Sequence, residues 1–489
     1  MRAGLMFRDR DFSMTAPTVY GRDTLCADFE IKRIIERMAA KDLNIELAVN
    51  SALFNPLCDI DEILYRQQVL KDCLAHPAQV RELYELVSGA EHFQAEMVKG
   101  MRTDPQVEDT LTDAITILRT QMEHLKLTRD SVAKNTAGFA SEGFTGLAKM
   151  LKEQLPDSFF SEVAVRLKDF RDRDGMLVGV SLGSGLQGVN YTMLRRKAEL
   201  FRRPSNSGVY TVNSQDQSAR SDMKQRRERA ANDCTAPLAR AAEGIWHFFS
   251  LLCGELAFYV GCINLYDALA QLGMPVCIPT PLPSDSSQRE WSGLFDISLA
   301  LLKNEKVGVN RLEKHDKRLY IITGANQGGK STFLRSFGQA QLMTQCGMFV
   351  SGESFTAPVR LKIFSHFRKE EDSDMNHGKF DEELTRLDRI TERLSRDSLI
   401  IFNEAFAATN EREGSEICRQ VIRALVESGV EVFTVTHLYS YAAGELDNPD
   451  AVFLRAERLE SGERTFRIVP GEPFVTAFGE DLYKKIFNN

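Results

Sequence analysis

The sequence lacks the cysteine and histidine groupings that mark disulfide-rich and zinc-binding proteins. Its nine cysteines are scattered over 489 residues, no two of them form a CxxC pair, and no histidine cluster lies beside them. This distribution excludes a disulfide framework and a structural zinc site, and it predicts reduced, mostly buried thiols. We therefore expect a cytoplasmic protein.

The chain also lacks a long apolar run at its start and an excess of positive charge. The apolar stretch in MRAGLMFRDRDF is too short for a signal peptide. The best candidate for a membrane span, residues 245–265, contains Glu255 in its middle, so we expect a long core helix and no membrane contact. The net charge of -8 excludes a global attraction to nucleic acid or anionic lipid, so such binding needs a local basic patch.

What the chain does contain is a helical half followed by an alternating half. Its length and its 43% hydrophobic content predict two to four globular domains. Residues 24–173 carry apolar residues at helical spacing and predict the core of a helix bundle. The stretch 176–194 alternates apolar residues and predicts two strands around a turn, and VYTV (209–212) predicts another. Helix resumes at about residue 233 and runs to 272, and CIPTPLPSDSSQ (277–288) is interpreted as an interdomain linker or an irregular crossing.

One segment is strongly basic within this acidic chain. Residues 195–229 contain ten Lys or Arg and four Asp or Glu. Such a cluster is typical of a solvated, partly disordered surface, and it is also sufficient to contact nucleic-acid phosphates. The sequence leaves both interpretations open.

After residue 288, apolar strands alternate with helices. LYIIT, SLIIF and VEVFTVT are each followed by a helical pattern, beginning at Gly329, at Glu411 and near Leu438. This alternation is typical of a parallel sheet that is covered on both faces. The predicted fold class is therefore a helical region followed by an α/β domain.

The first of these strands runs into a phosphate-loop pattern. LYIITGANQGGKST fits a strand, the motif GxxxxGK[ST] and a helix, with Gly324, Gly329, Lys330 and Ser331 in the fixed positions. In such a loop, glycines let backbone N–H groups face phosphates, and the helix N-terminus adds the positive end of its dipole. Lys330 is predicted to reach the β- and γ-phosphates of ATP, and the Ser331 hydroxyl is predicted to bind Mg²⁺.

The next two strands end in candidate catalytic groups. SLIIFNEAF (398–406) places Asn403 and Glu404 where the usual pattern is Asp-Glu. Glu404 is predicted to activate the attacking water, whereas Asn403 can accept a hydrogen bond from a metal-bound water without adding charge. VEVFTVTHL (430–438) ends in His437, which lies at the carboxyl end of a parallel strand and is interpreted as a γ-phosphate sensor.

The order of these motifs resembles that of a known family. TGANQGGKST, IIFNEAFAATNEREG and TVTHL resemble the ATPase domain of the MutS DNA mismatch-repair family, and residues 55–74 resemble the start of its helical lever and clamp. The resemblance covers roughly residues 45–485 and implies an α-helical lever and clamp region followed by an α/β P-loop ATPase domain of the ABC type. It also implies that Asn326, Gly328 and Thr332 help to bind the nucleotide.

The implied domains are an N-terminal segment, a helical core, lever and clamp region, and the ATPase domain. Their expected bounds are 1–45, 46–283 with a β excursion near 176–212, and 284–489.

The sequence departs from the family pattern at three places. Only about 45 residues, without a Phe-x-Glu motif, precede the lever-like region, so no mismatch-reading domain is expected. HGKFDEEL (377–384) places Gly378 and Lys379 where the family carries hydroxyl residues. The chain also stops soon after FGEDLYKKIF, before the family's full C-terminal dimerisation helices.

The resemblance further implies a homodimer formed through the ATPase domains. In this family, the signature of one subunit closes over the γ-phosphate that the other subunit holds. Lys379, at the start of the altered signature, is therefore either a cation delivered in trans to the transferring phosphoryl group or a solvated lysine.

These observations favour an ATP-switched clamp that binds DNA through residues 195–229 without reading mismatches. One alternative is a nucleotide-binding scaffold with weak or no hydrolysis, which Asn403 favours. Another is an ABC-type ATPase coupled to a protein partner, although the chain has no LSGGQ-like signature.

Overall fold

The computed structural model describes most of the chain in nine stretches, and it divides the chain into two compact units. The described residues are 1–17, 19–100, 107–169, 178–184, 188–193, 216–325, 327–368, 379–458 and 464–473. Unit 1 comprises residues 1–11 and 78–256, and unit 2 comprises residues 12–77 and 257–489. The units do not follow the bounds at 45 and 283 expected for the family's domains, and those bounds stay predictions.

The described residues contain fourteen helices and fourteen strands. The helices are α1 (Arg22–Asp28), α2 (Ile31–Ala39), α3 (Leu43–Leu53), α4 (Ile60–Ala75), α5 (Pro77–Gly100), α6 (Val107–Asn135), α7 (Glu142–Gln154), α8 (Asp157–Asp169), α9 (Gln217–Gln271), α10 (Ile297–Lys303), α11 (Lys330–Gln345), α12 (Lys379–Thr391), α13 (Glu411–Glu427) and α14 (Tyr439–Gly444). The strands are β1 (Val178–Leu182), β2 (Gly188–Met193), β3 (Val276–Cys277), β4 (Thr280–Leu282), β5 (Gln288–Leu294), β6 (Asn310–Asp316), β7 (Leu319–Thr323), β8 (Val350–Ser351), β9 (Ser354–Pro358), β10 (Ile363–Phe367), β11 (Leu399–Asn403), β12 (Glu431–Val435), β13 (Ala451–Arg458) and β14 (Arg464–Pro470).

Unit 1 is built mainly from helices, as the apolar spacing predicts. α7 and α8 pack against α6, and the predicted strand pair is present as the antiparallel strands β1 and β2. The expected strand at 209–212 lies outside the described residues. Apolar stripes on α6 and α7 bury one face of each helix and leave the charged face exposed.

The most apolar part of α9 contains a buried acid that explains the position of the N-terminus. Within the described chain, one helical stretch, Thr235–Gln271, is long and apolar enough to cross a membrane, and 83% of its most apolar window is buried in the protein, as in a core helix. The buried Glu255 carboxylate accepts hydrogen bonds from the N–H groups of Leu5 and Met6, at 2.5 and 3.2 Å. A buried charge needs such partners. α9 begins at Gln217, earlier than the predicted start near residue 233. The polar residues 217–232 lack the apolar pattern that predicts a helix, but they are part of it.

Unit 2 contains a six-stranded sheet in the order β10-β11-β12-β7-β13-β14. The first five strands are parallel, as the alternation of strands and helices predicts, whereas β14 pairs antiparallel with β13 at the edge. The central strands are mainly apolar and almost entirely buried because both of their faces are covered. On one face, the ring of Phe433 stacks between Tyr320 and Phe337, with centroids 4.1 and 4.0 Å away.

A second sheet corrects the interpretation of residues 277–288 as a linker. This stretch holds the end of β3, all of β4 and the start of β5, and the four-stranded sheet runs in the order β4-β9-β5-β6. The three prolines and three serines of this stretch led to the linker interpretation, and proline is rare within sheets. The proline within β4 is Pro281. It is accommodated here because β4 is an edge strand and needs to pair on one side only.

A buried cluster of charges connects the six-stranded and the four-stranded sheets of unit 2. Glu431, at the start of β12, pairs through Oε1 with Arg289 Nε of β5 at 2.5 Å, and through Oε2 with Arg360 Nε at 2.7 Å. All three side chains are fully buried. Arg289 also donates to Gln341 Oε1 of α11 at 2.9 Å, and Arg360 donates to the Ser284 carbonyl at 2.6 Å. Burial raises the pKa of the Glu431 carboxyl, but the two guanidinium groups outweigh burial and hold that pKa below its usual value.

We predict that Glu431→Gln strongly destabilises unit 2. The amide leaves two buried guanidinium groups without a counter-ion, and breaking a buried pair in this way costs about 3–5 kcal/mol. The free energy of unfolding, measured by urea denaturation, is expected to fall by that amount. Glu427→Gln, which neutralises an exposed glutamate near the end of α13, is the control and should change it little. Equal stabilities for the two variants would contradict this account of the cluster.

Candidate functional site

The predicted site residues follow three neighbouring strands at the same edge of the six-stranded sheet. β7, β12 and β11 are adjacent, and their C-terminal ends are in register, with Ile322 opposite Val435 and Val435 opposite Asn403. Because the carboxyl ends of parallel strands meet at one edge, the loops that follow them converge there. The phosphate-loop motif follows β7, Glu404 follows β11, and His437 follows β12.

The loop between β7 and α11 has a backbone that requires glycine. Gly324 and Gly329 have φ angles of 120° and 91°, in the left-handed region that residues with a Cβ rarely adopt. A Cβ on Gly324 would lie 2.9 Å from the Cβ of Ala456 on β13, and one on Gly329 would lie 2.9 Å from the carbonyl oxygen of Phe466 on β14. Strands β13 and β14 therefore pack directly against the loop and leave no room for a Cβ at these glycines.

Lys330 turns back over this loop. Its side chain is buried, and Nζ donates to the carbonyl oxygens of Gly324 at 2.6 Å and Ala325 at 3.1 Å. Burial lowers the pKa of the Lys330 ammonium, and the nearby Glu404 carboxylate opposes that shift. The charges of Lys330 and Glu404, two of the predicted site residues, therefore interact.

The first turn of α11 places the Ser331 hydroxyl next to the end of β11. Ser331 Oγ donates to Asn403 Oδ1 at 3.1 Å, so the two predicted metal-binding residues lie in direct contact. Thr332, by contrast, accepts from Arg335 Nη2 at 3.4 Å within the same helix. Gly328 belongs to the turn before α11, and Asn326 lies outside the described residues.

Glu404 occupies an unusual backbone conformation. Its φ angle is +56°, and its N–H donates to the Val435 carbonyl of β12 at 2.8 Å. Two residues later, Phe406 has a φ angle of +61°. Left-handed backbone at residues other than glycine is strained and is common at functional sites. No glycine marks this turn in the sequence, so the strain was not predicted.

The structure describes the surroundings of His437 and, for Lys379, the backbone only. His437 is exposed immediately after β12, and the preceding Thr436 N–H donates to the Ile322 carbonyl at 3.1 Å, which ties this turn to β7. Lys379 is the first residue of α12, but its side chain lies outside the described part of the chain. Its predicted role in trans stays a prediction.

Sequence reasoning missed a group of residues beside Glu404. Glu383 of α12 accepts a hydrogen bond from the Phe406 N–H at 2.7 Å and lies 3.5 Å from His366 Nε2 of β10. The signal in the sequence is the FDEEL stretch at residues 380–384, which directly follows the altered signature residues Gly378 and Lys379.

Comparison with known proteins gives two matches to family models. A model described as the MutS2 N-terminal domain matches residues 58–272, and one described as MutS domain V matches residues 320–462. Together they cover both the helical region and the sheet that carries the candidate site.

Several curated relatives carry the name Endonuclease MutS2. The protein from Listeria innocua is 24% identical over 378 residues, which are 75% of this chain and 44% of the relative. The Lacticaseibacillus casei protein is 28% identical over 255 residues, 49% of this chain and 31% of the relative. The Thermus thermophilus protein is 24% identical over 336 residues, 66% of this chain and 42% of the relative. The chain thus spans less than half the length of these relatives.

We predict that Gly329→Ala destabilises the loop even in the absence of any ligand. The alanine must adopt a left-handed φ and approach the Phe466 carbonyl, and strain of this kind costs about 1–3 kcal/mol. Gly308→Ala is a matched control in unit 2, since its Cβ would meet no atom closer than 3.9 Å. Urea denaturation should separate the two variants. A neutral Gly329→Ala would mean that the loop is not constrained by β14.

Proposed function

Since the chain belongs to the MutS family, we propose that it binds and hydrolyses ATP in residues 324–332 and uses this cycle to switch a DNA-binding clamp. The observation that carries the proposal is the meeting of Lys330, Ser331, Asn403 and Glu404 at one edge of the sheet. The word endonuclease in the relatives' names describes whole proteins of which this chain matches less than half, so the proposal is confined to ATP and DNA.

Lys330 supplies the cation for the phosphates. Its Nζ donates hydrogen bonds to two loop carbonyl oxygens, which carry only partial negative charge. A triphosphate brings such charge, so exchanging carbonyl oxygens for phosphate oxygens stabilises the buried ammonium. The N-terminus of α11 adds its dipole in the same direction.

The polar residues beside the loop fit Mg²⁺. Within the described residues, no three His, Cys, Asp or Glu side chains group into a metal site. Mg²⁺ does not require such a group, because it usually takes one or two protein oxygens together with water and phosphate. Ser331 would hold the ion directly, and Asn403 would hold it through water. When bound, Mg²⁺ would neutralise charge on the β- and γ-phosphates.

Glu404 is the proposed general base. The electrostatic interaction of its carboxylate with the Lys330 ammonium supports a position near the phosphate end of the loop. From there it can accept a proton from a water that attacks the γ-phosphate. His437, exposed at the end of the adjacent strand, is proposed to contact the γ-phosphate.

The proposed assembly is a homodimer through the ATPase domains in the cytoplasm. Lys379 at the start of α12 would then contribute a cation to the partner's nucleotide. The basic segment 195–229 is the proposed DNA contact. Of this segment, only residues 216–229 fall within the described chain, where they enter α9.

Asn403 supports a second candidate function, a nucleotide-binding scaffold that hydrolyses ATP slowly or not at all. An amide at this position contacts Ser331 but contributes no charge to the metal. The affinity for Mg²⁺ is then lower than with an aspartate, which slows any step that depends on the ion.

Two variants separate nucleotide binding from hydrolysis. Lys330→Ala should abolish ATP binding in a titration with labelled ATP, because it removes the cation of the loop. Glu404→Gln should keep binding while it slows turnover by about 10²-fold or more, the scale of losing a positioned general base. Lys303→Ala, at an exposed lysine of unit 2, should leave both measurements unchanged.

The outcomes distinguish the candidates. Binding that survives Lys330→Ala would rule out the phosphate-loop assignment. A wild-type protein that binds ATP but shows no turnover, with or without duplex DNA, would favour the scaffold.

DNA binding through the basic segment is expected to depend strongly on salt. Replacing Arg202 and Arg203 by alanine should weaken binding and reduce the slope of log K against log salt by about two, if each contacts one phosphate. The control replaces the exposed Lys149 and Lys152 of α7 by alanine. Equal slopes for the two double variants, measured by fluorescence anisotropy, would exclude this pair as the contact.

A further inference from the structure

The turn that follows β11 must be held in place by its surroundings. It contains two left-handed residues, Glu404 and Phe406, separated by the buried Ala405. Each such residue costs about 1–3 kcal/mol and persists only where neighbouring groups impose the conformation. The proposed base is therefore part of a turn that would relax without external hydrogen bonds.

Two hydrogen bonds impose this turn. At its start, the Glu404 N–H donates to Val435 of β12. At its end, the Phe406 N–H donates to Glu383 Oε1 at 2.7 Å. The Phe406 ring is fully buried, and its carbonyl lies so close to α13 that a Cβ on Gly414 would approach it to 2.6 Å. Glu383 is thus the side-chain anchor of the turn.

Glu383 is itself fixed by a buried histidine. His366 on β10 is fully buried, with Nε2 3.5 Å from Glu383 Oε1, and Arg386 Nε donates to His366 Nδ1 at 3.3 Å. Arg386 Nη2 also lies 3.4 Å from Nε2, so the guanidinium group faces both ring nitrogens while Nε2 faces the Glu383 carboxylate. Arg386 is held in turn by the Phe367 carbonyl at 2.8 Å.

The pKa directions agree with this arrangement. Burial lowers the pKa of the His366 imidazole, which keeps it neutral. Burial raises the pKa of the Glu383 carboxyl, but the hydrogen bonds from His366 and from the Phe406 N–H outweigh burial and lower it. An ionised carboxylate makes a stronger hydrogen bond to a backbone N–H than a neutral acid does.

We infer that Glu383 is a positioning residue for hydrolysis: by holding the Phe406 N–H, it aims the Glu404 carboxylate at the phosphate end of the loop. Glu383 touches neither nucleotide nor metal in this role. The inference rests on the proposed function, because Glu404 has to be the base. A misplacement of about 1 Å in a catalytic group can lower a rate by about 10²-fold.

The test compares three variants on α12. Glu383→Ala removes the acceptor, Glu383→Gln keeps an oxygen that can accept from the Phe406 N–H, and Glu382→Ala removes an exposed glutamate from the same helix. For ATP turnover, Glu383→Ala should lower kcat by about 10- to 100-fold with little change in KM or in ATP affinity. Glu383→Gln should recover most of kcat, and Glu382→Ala should match the wild type.

A second measurement reports on the turn without nucleotide. Amide hydrogen exchange in a peptide containing Phe406 should accelerate in Glu383→Ala and stay unchanged in Glu382→Ala. Unchanged kcat in Glu383→Ala overturns the inference, and so does a loss of ATP affinity equal to the loss of kcat, since that indicates general disruption.

The two proposals fail in different ways. If wild-type protein binds ATP without turnover, hydrolysis as the proposed function fails. Exchange at Phe406 then decides alone whether Glu383 holds the turn, and unchanged exchange overturns the inference in that case too.

Discussion

The buried contact of Glu431 with Arg289 and Arg360 is the constraint on which unit 2 depends. It joins β12 of the six-stranded sheet to β5 of the second sheet, and through Gln341 it extends to α11. Charges without solvent tolerate little change in geometry, because any displacement leaves one of them unpaired. The position of β12 relative to α11 is therefore defined closely, and the loops that converge at the site depend on both elements.

At the site, strain and electrostatics act together. The loop after β7 contains glycines at the positions where β13 and β14 pack against it. The turn after β11 contains two left-handed residues, neither of which is glycine. Lys330 is buried against carbonyl oxygens, and the Glu404 carboxylate partly offsets the lowering of its pKa by burial. The backbone of the loop and of the turn is thus fixed by its neighbours, whereas Lys330 must leave its carbonyl partners before it can contact an anionic ligand.

Much of the sheet could be predicted because its strands are continuous apolar runs that are followed by helical patterns. LYIIT, SLIIF and VEVFTVT lie in β7, β11 and β12, and the meeting of Ser331 with Asn403 follows from their parallel order. In the second sheet, β4 was missed because a strand of three residues has no recognisable periodicity. Glu383, His366 and Phe406 were missed as a group because residues on separate elements carry no shared local signal.

The contact of Ala456 and Phe466 with the glycine loop also has a meaning for synthesis of the protein. The loop follows β7 directly, yet the strands that enclose it, β13 and β14, are translated only after β11 and β12. β7 moreover lies between β12 and β13, so it remains an exposed edge until β13 has been made. A nascent chain on the ribosome thus carries the complete glycine motif before it has the strands that enclose the motif, and during that interval the edge of β7 is open to pairing with other chains.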